Sequence, residues 1–137
     1  MTGIRVLDAS VVVKCLIDET GSEAARRTVA AHPHWIAPDL IYLEVASVAV
    51  TAVRRGLIER SAGEAVMSAL RSLVVETVAS EALARSAFRL AATHGFSAYD
   101  AAYLALARER DCSVLTADRR LCTRAEAAGL RDLVELL

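Results

Sequence analysis

The sequence predicts an α/β protein, a three-layer α/β/α sandwich around a central, mainly parallel sheet of four to five strands. Two observations point there. Short apolar segments that are β-branched or Leu-rich, Ile4–Leu7, Leu73–Val78, Ser113–Thr116 and Asp132–Leu136, read as strands. Between them lie stretches with helical periodicity, and this alternation is what a parallel sheet covered by helices requires. The 137 residues are expected to form one domain, 1–137, large enough to bury a core without disulfides or structural metal.

The helices are marked by their starts and stops. Ser10–Asp18 begins just after the first strand. Gly21–Ala31 is Ala-rich with Arg26 and Arg27 outward, and the break His32-Pro33-His34 closes it. Trp35, between Pro33 and Pro38, reads as a packing residue. Asp39 can cap a long helix running to Arg55, where Gly56 follows as the terminating residue and two arginines complement the helix dipole. Ser61–Leu70, Ser80–His94, Ala98–Arg110 and Arg119–Ala128 complete the set, with Gly95 and Gly129 as stops. Ligands of open parallel sheets bind outside the C-terminal ends of the strands, so the site is expected there.

Composition narrows the class. Apolar residues make up 55% and aromatics 4%, so the core must be built from Ala, Val and Leu. The uncharged run Val45–Val53 falls well short of the roughly 20 residues a membrane span needs. Charges appear at Arg5 and Asp8, with no signal-peptide apolar region before them. Cys15, Cys112 and Cys122 form no CxxC and read as free core thiols suited to a reducing compartment. The expectation is a soluble cytoplasmic protein with no membrane partner. A net charge of −1 gives no global attraction to nucleic acid, although the basic residues are all arginine except Lys14.

Four acids carry the chemistry. Asp8 ends the first strand, where it can cap the following helix or serve a ligand site. Asp100 lies in Phe96-Ser97-Ala98-Tyr99-Asp100, where Ser97 and Asp100 have capping-box spacing, yet its further neighbours are mostly apolar. Asp118 follows the third strand and can cap the helix at Arg119, with Thr116 adding a hydroxyl. Glu44 sits in a helix apolar on almost every side, and no cation occupies its i±3 or i±4 positions. A buried carboxylate without a partner costs several kcal/mol or becomes neutral, so Glu44 needs a cation from elsewhere. Four acids at one rim of a sheet make sense around a divalent ion, and an all-oxygen set favours Mg²⁺ or Mn²⁺.

Asp8-Ala9-Ser10, Glu44, Ser97-Ala98-Tyr99-Asp100 and Thr116-Ala117-Asp118 together resemble the PIN-domain nucleases. The likeness is closest to the VapC toxins of type II toxin–antitoxin modules, whose opening Asp8–Lys14 carries as DASVVVK. The resemblance spans essentially the whole chain and implies a PIN-like sandwich and a Mg²⁺- or Mn²⁺-dependent endoribonuclease. It implies that Asp8 and Asp100 are the principal metal ligands, completed by Glu44 and Asp118, with Ser10 and Thr116 as hydroxyl supports. It also implies a homodimer held inactive by a cognate VapB-like antitoxin that covers the acidic groove. Arg119 and Arg120, beside Asp118, are candidates for contact with RNA phosphates. The rival reading is a non-catalytic PIN-like module that binds RNA or protein. Phosphotransfer folds fit poorly, since Ser10 stands where a dehalogenase-type phosphatase needs its second Asp, and a receiver domain's Lys after a late strand is missing.

Overall fold

A computed structural model describes residues 3–32 and 34–137. Five strands, β1 (Ile4–Leu7), β2 (His34–Pro38), β3 (Glu76–Val78), β4 (Val114–Thr116) and β5 (Val134–Leu136), form one sheet in the order β3-β2-β1-β4-β5. Every pairing is parallel. Helices α1 (Ala9–Leu16), α2 (Ser22–Ala30), α3 (Ile41–Arg54), α4 (Arg60–Leu73), α5 (Ser80–His94), α6 (Ala98–Glu109) and α7 (Arg119–Ala127) flank it, and a 3₁₀ turn, Arg131–Leu133, leads into β5. The predicted α/β sandwich is therefore present, with a sheet that is parallel throughout.

The central strands are apolar runs because both faces of such a sheet are covered. Val6, Leu7, Ile36, Ala37, Val114 and Leu115 are buried. The edge strands carry charge instead, and each acid has an arginine. Glu76 of β3 is bound by Arg110 at 2.6 Å, and Glu135 of β5 by Arg5 at 2.9 Å. Charge on an edge strand also discourages pairing with another chain.

Strand β2 corrects the sequence reading, which took His32-Pro33-His34 as a break and assigned no strand there. Pro33 lies outside the described residues. His34–Pro38 is an interior strand, paired with β1 at Val6↔Ile36 and with β3 at Ile36↔Glu76. A proline at its last position is tolerated, and the Asp39 N–H continues the ladder to Val78 O at 2.8 Å. Trp35 is buried as expected, and its indole N–H donates to Val29 O at 2.9 Å.

Asp39 is a second correction. Helix α3 begins after Leu40 with no side-chain cap. The Asp39 carboxylate instead accepts from the Ser80 N–H at 3.0 Å and the Ser80 hydroxyl at 2.5 Å, at the start of α5. Adjacent parallel strands end side by side, with Pro38 opposite Val78, so the residue after β2 reaches the helix that follows β3. At the far end of α3 the expected stop forms. Gly56 has φ +73°, and Gly56 N–H and Leu57 N–H bond to Val53 O and Ala52 O, a Schellman motif. Strand β3 is shorter than predicted because α4 runs on to Leu73.

Helix α3 is apolar on most sides yet only one face is buried, Ile41, Val45, Ala49 and Ala52. Leu43, Val48 and Val50 face outward, Leu43 with 77% of its surface exposed. The three cysteines are free and half-buried, and Cys15 and Cys112 pack against the core. Among the described residues no helix is long and apolar enough to cross a membrane.

Candidate active site

The chain adds β2 and β3 on one side of β1, then β4 and β5 on the other. Connections leave β1 and β4 in opposite directions, and the crevice at such a switch is where open α/β sheets bind ligands. Asp8 follows β1 and Thr116-Ala117-Asp118 closes β4, so both fall at this switch. The register fixes them side by side: Leu7 pairs with Leu115, and the Asp8 N–H donates to Leu115 O at 3.0 Å.

Asp8 occupies the N-cap position of α1, but its side chain makes no capping hydrogen bond. Two hydroxyls hold it instead. Ser10 donates to Asp8 Oδ2 at 2.5 Å and Thr116 donates to the same oxygen at 2.9 Å. Each hydroxyl oxygen accepts a backbone N–H, Ala117 on Ser10 and Asp118 on Thr116, both at 3.0 Å. Those N–H groups orient the two O–H bonds toward the carboxylate. Burial raises the Asp8 carboxyl above its ordinary range, and the two hydroxyls oppose that by favouring the charged form.

The other acids arrive from three helices. Ser97 caps α6 by accepting the Asp100 N–H at 3.0 Å, while the Asp100 carboxylate lines the cavity. Burial raises Asp100, and the nearby charges of Asp8 and Asp118 raise it further. Asp118 does cap α7, accepting from Arg120 N–H at 2.9 Å and Leu121 N–H at 3.4 Å, and it lies at the same rim. Glu44 is half-buried, and its partner is neutral: Tyr103 donates to Glu44 Oε1 at 2.6 Å. Burial raises Glu44, Tyr103 opposes it, and Asp8 and Asp100 add to it. All four acids line one open cavity of about 960 Å³.

The PIN-domain family profile matches residues 5–127. The chain belongs to the PIN-domain family. Ribonuclease VapC3 of Pyrobaculum aerophilum is 34% identical over 126 residues, which cover 89% of this chain and 95% of that protein. The crystal structure of PAE2754 from Pyrobaculum aerophilum superimposes with a TM-score of 0.70 at 18% identity, covering 89% of this chain and 80% of that one. At that identity the likeness is one of fold. The resemblance read from the acidic motifs therefore holds at the level of family and fold.

Among the described residues of this PIN domain, no three Asp, Glu, His or Cys side chains converge into a ready-made chelating group. The four carboxylates instead stand around an open space, where the charges of Asp8 and Asp100 act on Glu44 and those of Asp8 and Asp118 act on Asp100. That donor set is hard and all-oxygen, and it suits an ion that uses one or two carboxylates and keeps several waters, the habit of Mg²⁺. The residues fit such an ion without specifying its geometry.

Arg119 and Arg120 are exposed and neither lines the cavity. The cation whose charge reaches Asp100 is Arg124, one turn further along α7. Lys14 lines the cavity, but its ammonium is tied to Thr20 O at 2.6 Å and to Glu19 at 3.4 Å, which fastens the α1–α2 loop. Tyr103 escaped the sequence reading as a site residue. Its i+3 spacing from Asp100 puts both on one face of α6, but its contact with Glu44 spans 59 residues. Burial and the neighbouring Glu44 and Asp8 hold its hydroxyl protonated, well above the usual phenol range.

Proposed function

We propose that this chain is the toxin of a VapBC-like toxin–antitoxin module, a Mg²⁺- or Mn²⁺-dependent endoribonuclease acting through Asp8, Glu44, Asp100 and Asp118. The observation that carries the reading is the gathering of these four acids around one cavity at the switch between β1 and β4. The VapC ribonuclease relative, matched along nearly its whole length, supports the same substrate class.

In this reading Asp8 and Asp100 are the principal ligands, and Glu44 and Asp118 complete the set directly or through waters. A bound divalent ion supplies an activated water and neutralises charge on the phosphate. Ser10 and Thr116 both bond Asp8 Oδ2, which fixes the carboxylate's orientation and leaves Oδ1 for the ion. Arg119 and Arg120 contact RNA phosphates at the rim. Both sit in the first turn of α7, where the helix dipole disfavours cations, so helix stability does not account for them.

Exposed Leu43, Val48 and Tyr99, which line the cavity with the acids, support coverage by the apolar part of a VapB-like antitoxin. The exposed apolar stripe of α3 supports a homodimer, and three free thiols support a cytoplasmic setting.

The test is cleavage of single-stranded and structured RNA by the purified chain with Mg²⁺, with Mn²⁺ and with EDTA. Wild type should cut only with metal, and Asp8→Asn should lose at least a hundredfold in rate, the scale of a lost catalytic group. Cleavage that persists in Asp8→Asn sinks the site assignment. RNA binding without any cleavage by wild type would favour the non-catalytic module.

A further inference from the structure

We propose that Tyr103 is a positioning residue for the acidic site: its buried hydroxyl holds Glu44 by one oxygen and fixes how that carboxylate meets the cavity. The inference rests on the metal-dependent reading of the four acids given above.

Tyr103 is only 1% exposed, and Ala101 to Ala107 are all buried around it. Packing therefore fixes the ring, and its hydroxyl is a fixed point at the base of the site. Glu44 is the reverse, a flexible side chain on another helix with no cation within ion-pair distance among the described residues. The Tyr103–Glu44 bond, at 2.6 Å, is the one side-chain hydrogen bond Glu44 makes there. Asp100 and Tyr103 lie one turn apart on α6, so one helix face presents a carboxylate to the cavity and orients a second from α3.

The contrary reading makes Glu44 a mere acceptor for a buried phenol. A glutamine carbonyl could also accept that bond while carrying no charge. Glu44 is instead a carboxylate that lines the same cavity as Asp8 and Asp100. The phenol therefore aims a carboxylate, and not a neutral amide, at the cavity. Residues that orient metal ligands in this way typically account for roughly 10–100-fold in metal affinity.

The experiment is Mn²⁺ binding to the EDTA-treated, dialysed chain, followed by electron paramagnetic resonance, for wild type, Tyr103→Phe, Glu44→Gln and the double variant. Tyr103→Phe should weaken Mn²⁺ about tenfold. Glu44→Gln should weaken it at least as much, and the double variant no more than Glu44→Gln alone. Glu44→Asp keeps the charge but withdraws it from the hydroxyl, so it should weaken Mn²⁺ about tenfold relative to wild type. This arm leaves Tyr103 intact and stands even if Tyr103→Phe folds poorly, and an unchanged affinity in it would overturn the inference. Unchanged Mn²⁺ affinity in Tyr103→Phe, or losses that multiply in the double variant, would overturn the inference. Failure of the underlying reading looks different: wild type itself would bind no Mn²⁺ that Asp8→Asn abolishes.

Discussion

Thr116 offers a sharp test of how the site is built. It is fully buried, donates to Asp8 Oδ2 at 2.9 Å, and accepts the Asp118 N–H at 3.0 Å. Thr116→Val keeps the shape and removes both bonds. A hydrogen bond to a charged group contributes about 1.5–3 kcal/mol. The Asp118 N–H also loses its acceptor at a part-buried position, which places the cost toward the upper part of that range. The expected destabilisation is about 2–3 kcal/mol. At about 2.1 cal/mol/K of unfolding entropy per residue, a chain of 137 residues should lose roughly 7–10 °C in Tm. The assay is thermal unfolding by circular dichroism in EDTA, with Thr116→Ser as the variant that retains the hydroxyl. Because the hydroxyl stabilises the ionised form of Asp8, the loss should shrink as the pH falls and that carboxyl protonates. A Thr116→Val chain within 2 °C of wild type at neutral pH, by the same arithmetic, would refute the view that this hydroxyl holds a charged Asp8.

Asp100→Asn should stabilise the metal-free chain at neutral pH. Its folded carboxyl lies above the ordinary 3.8, through burial first and then Asp8 and Asp118, so folding favours the proton. The favourable contribution is present below that ordinary value and is lost as pH rises through the folded one. Screening at an open cavity keeps the gain to about 0.5–1 kcal/mol, or about 2–3 °C, vanishing near pH 4; a less stable Asp100→Asn at pH 7.5 in EDTA would contradict it. Gly56→Ala places a side chain at φ +73° where nothing lies within 4 Å, so backbone strain alone acts. Urea unfolding should show a loss of about 1–2 kcal/mol at an unchanged slope.

Helices were legible in the sequence because their signals are local. Ser97 and Asp118 cap the helices their positions suggested, and Gly56 ends α3 where a glycine stop was expected. Strand β2 was not legible, because a short segment bounded by prolines becomes a strand only when β1 and β3 supply its partners. Asp39 was assigned to the nearest helix in sequence, whereas the parallel sheet brings a distant one closer. The site divides the same way. Asp8, Ser10, Thr116 and Asp118 sit in short motifs at strand ends, and topology alone brings them together. The Tyr103–Glu44 contact depends on how α6 packs against α3, and no periodicity within either helix encodes that.

The four site acids lack the counter-charges that brace several other acids in the fold. Four other acids have cations: Asp18 has Arg26, Glu19 has Lys14, Glu76 has Arg110 and Glu135 has Arg5. Among the described residues those four are the ion pairs present, and none involves Asp8, Glu44, Asp100 or Asp118. The shortage is not one of arginine, since the chain has sixteen basic residues and Arg124 stands near enough to influence Asp100. The four site carboxylates differ from the other unpaired acids in sharing one cavity, where they crowd one another without a counter-charge in ion-pair contact. Burial pushes Asp8, Glu44 and Asp100 toward protonation, and neighbouring carboxylates add to it for Glu44 and Asp100, which weakens the metal-free fold at neutral pH. Two hydroxyls and a phenol nevertheless favour the ionised forms of Asp8 and Glu44, so the scaffold preserves the negative charge that its own packing opposes. A site that maintains unpaired charge against that penalty is suited to a cation from outside the chain, whether a divalent ion or the basic side chain of a protein partner.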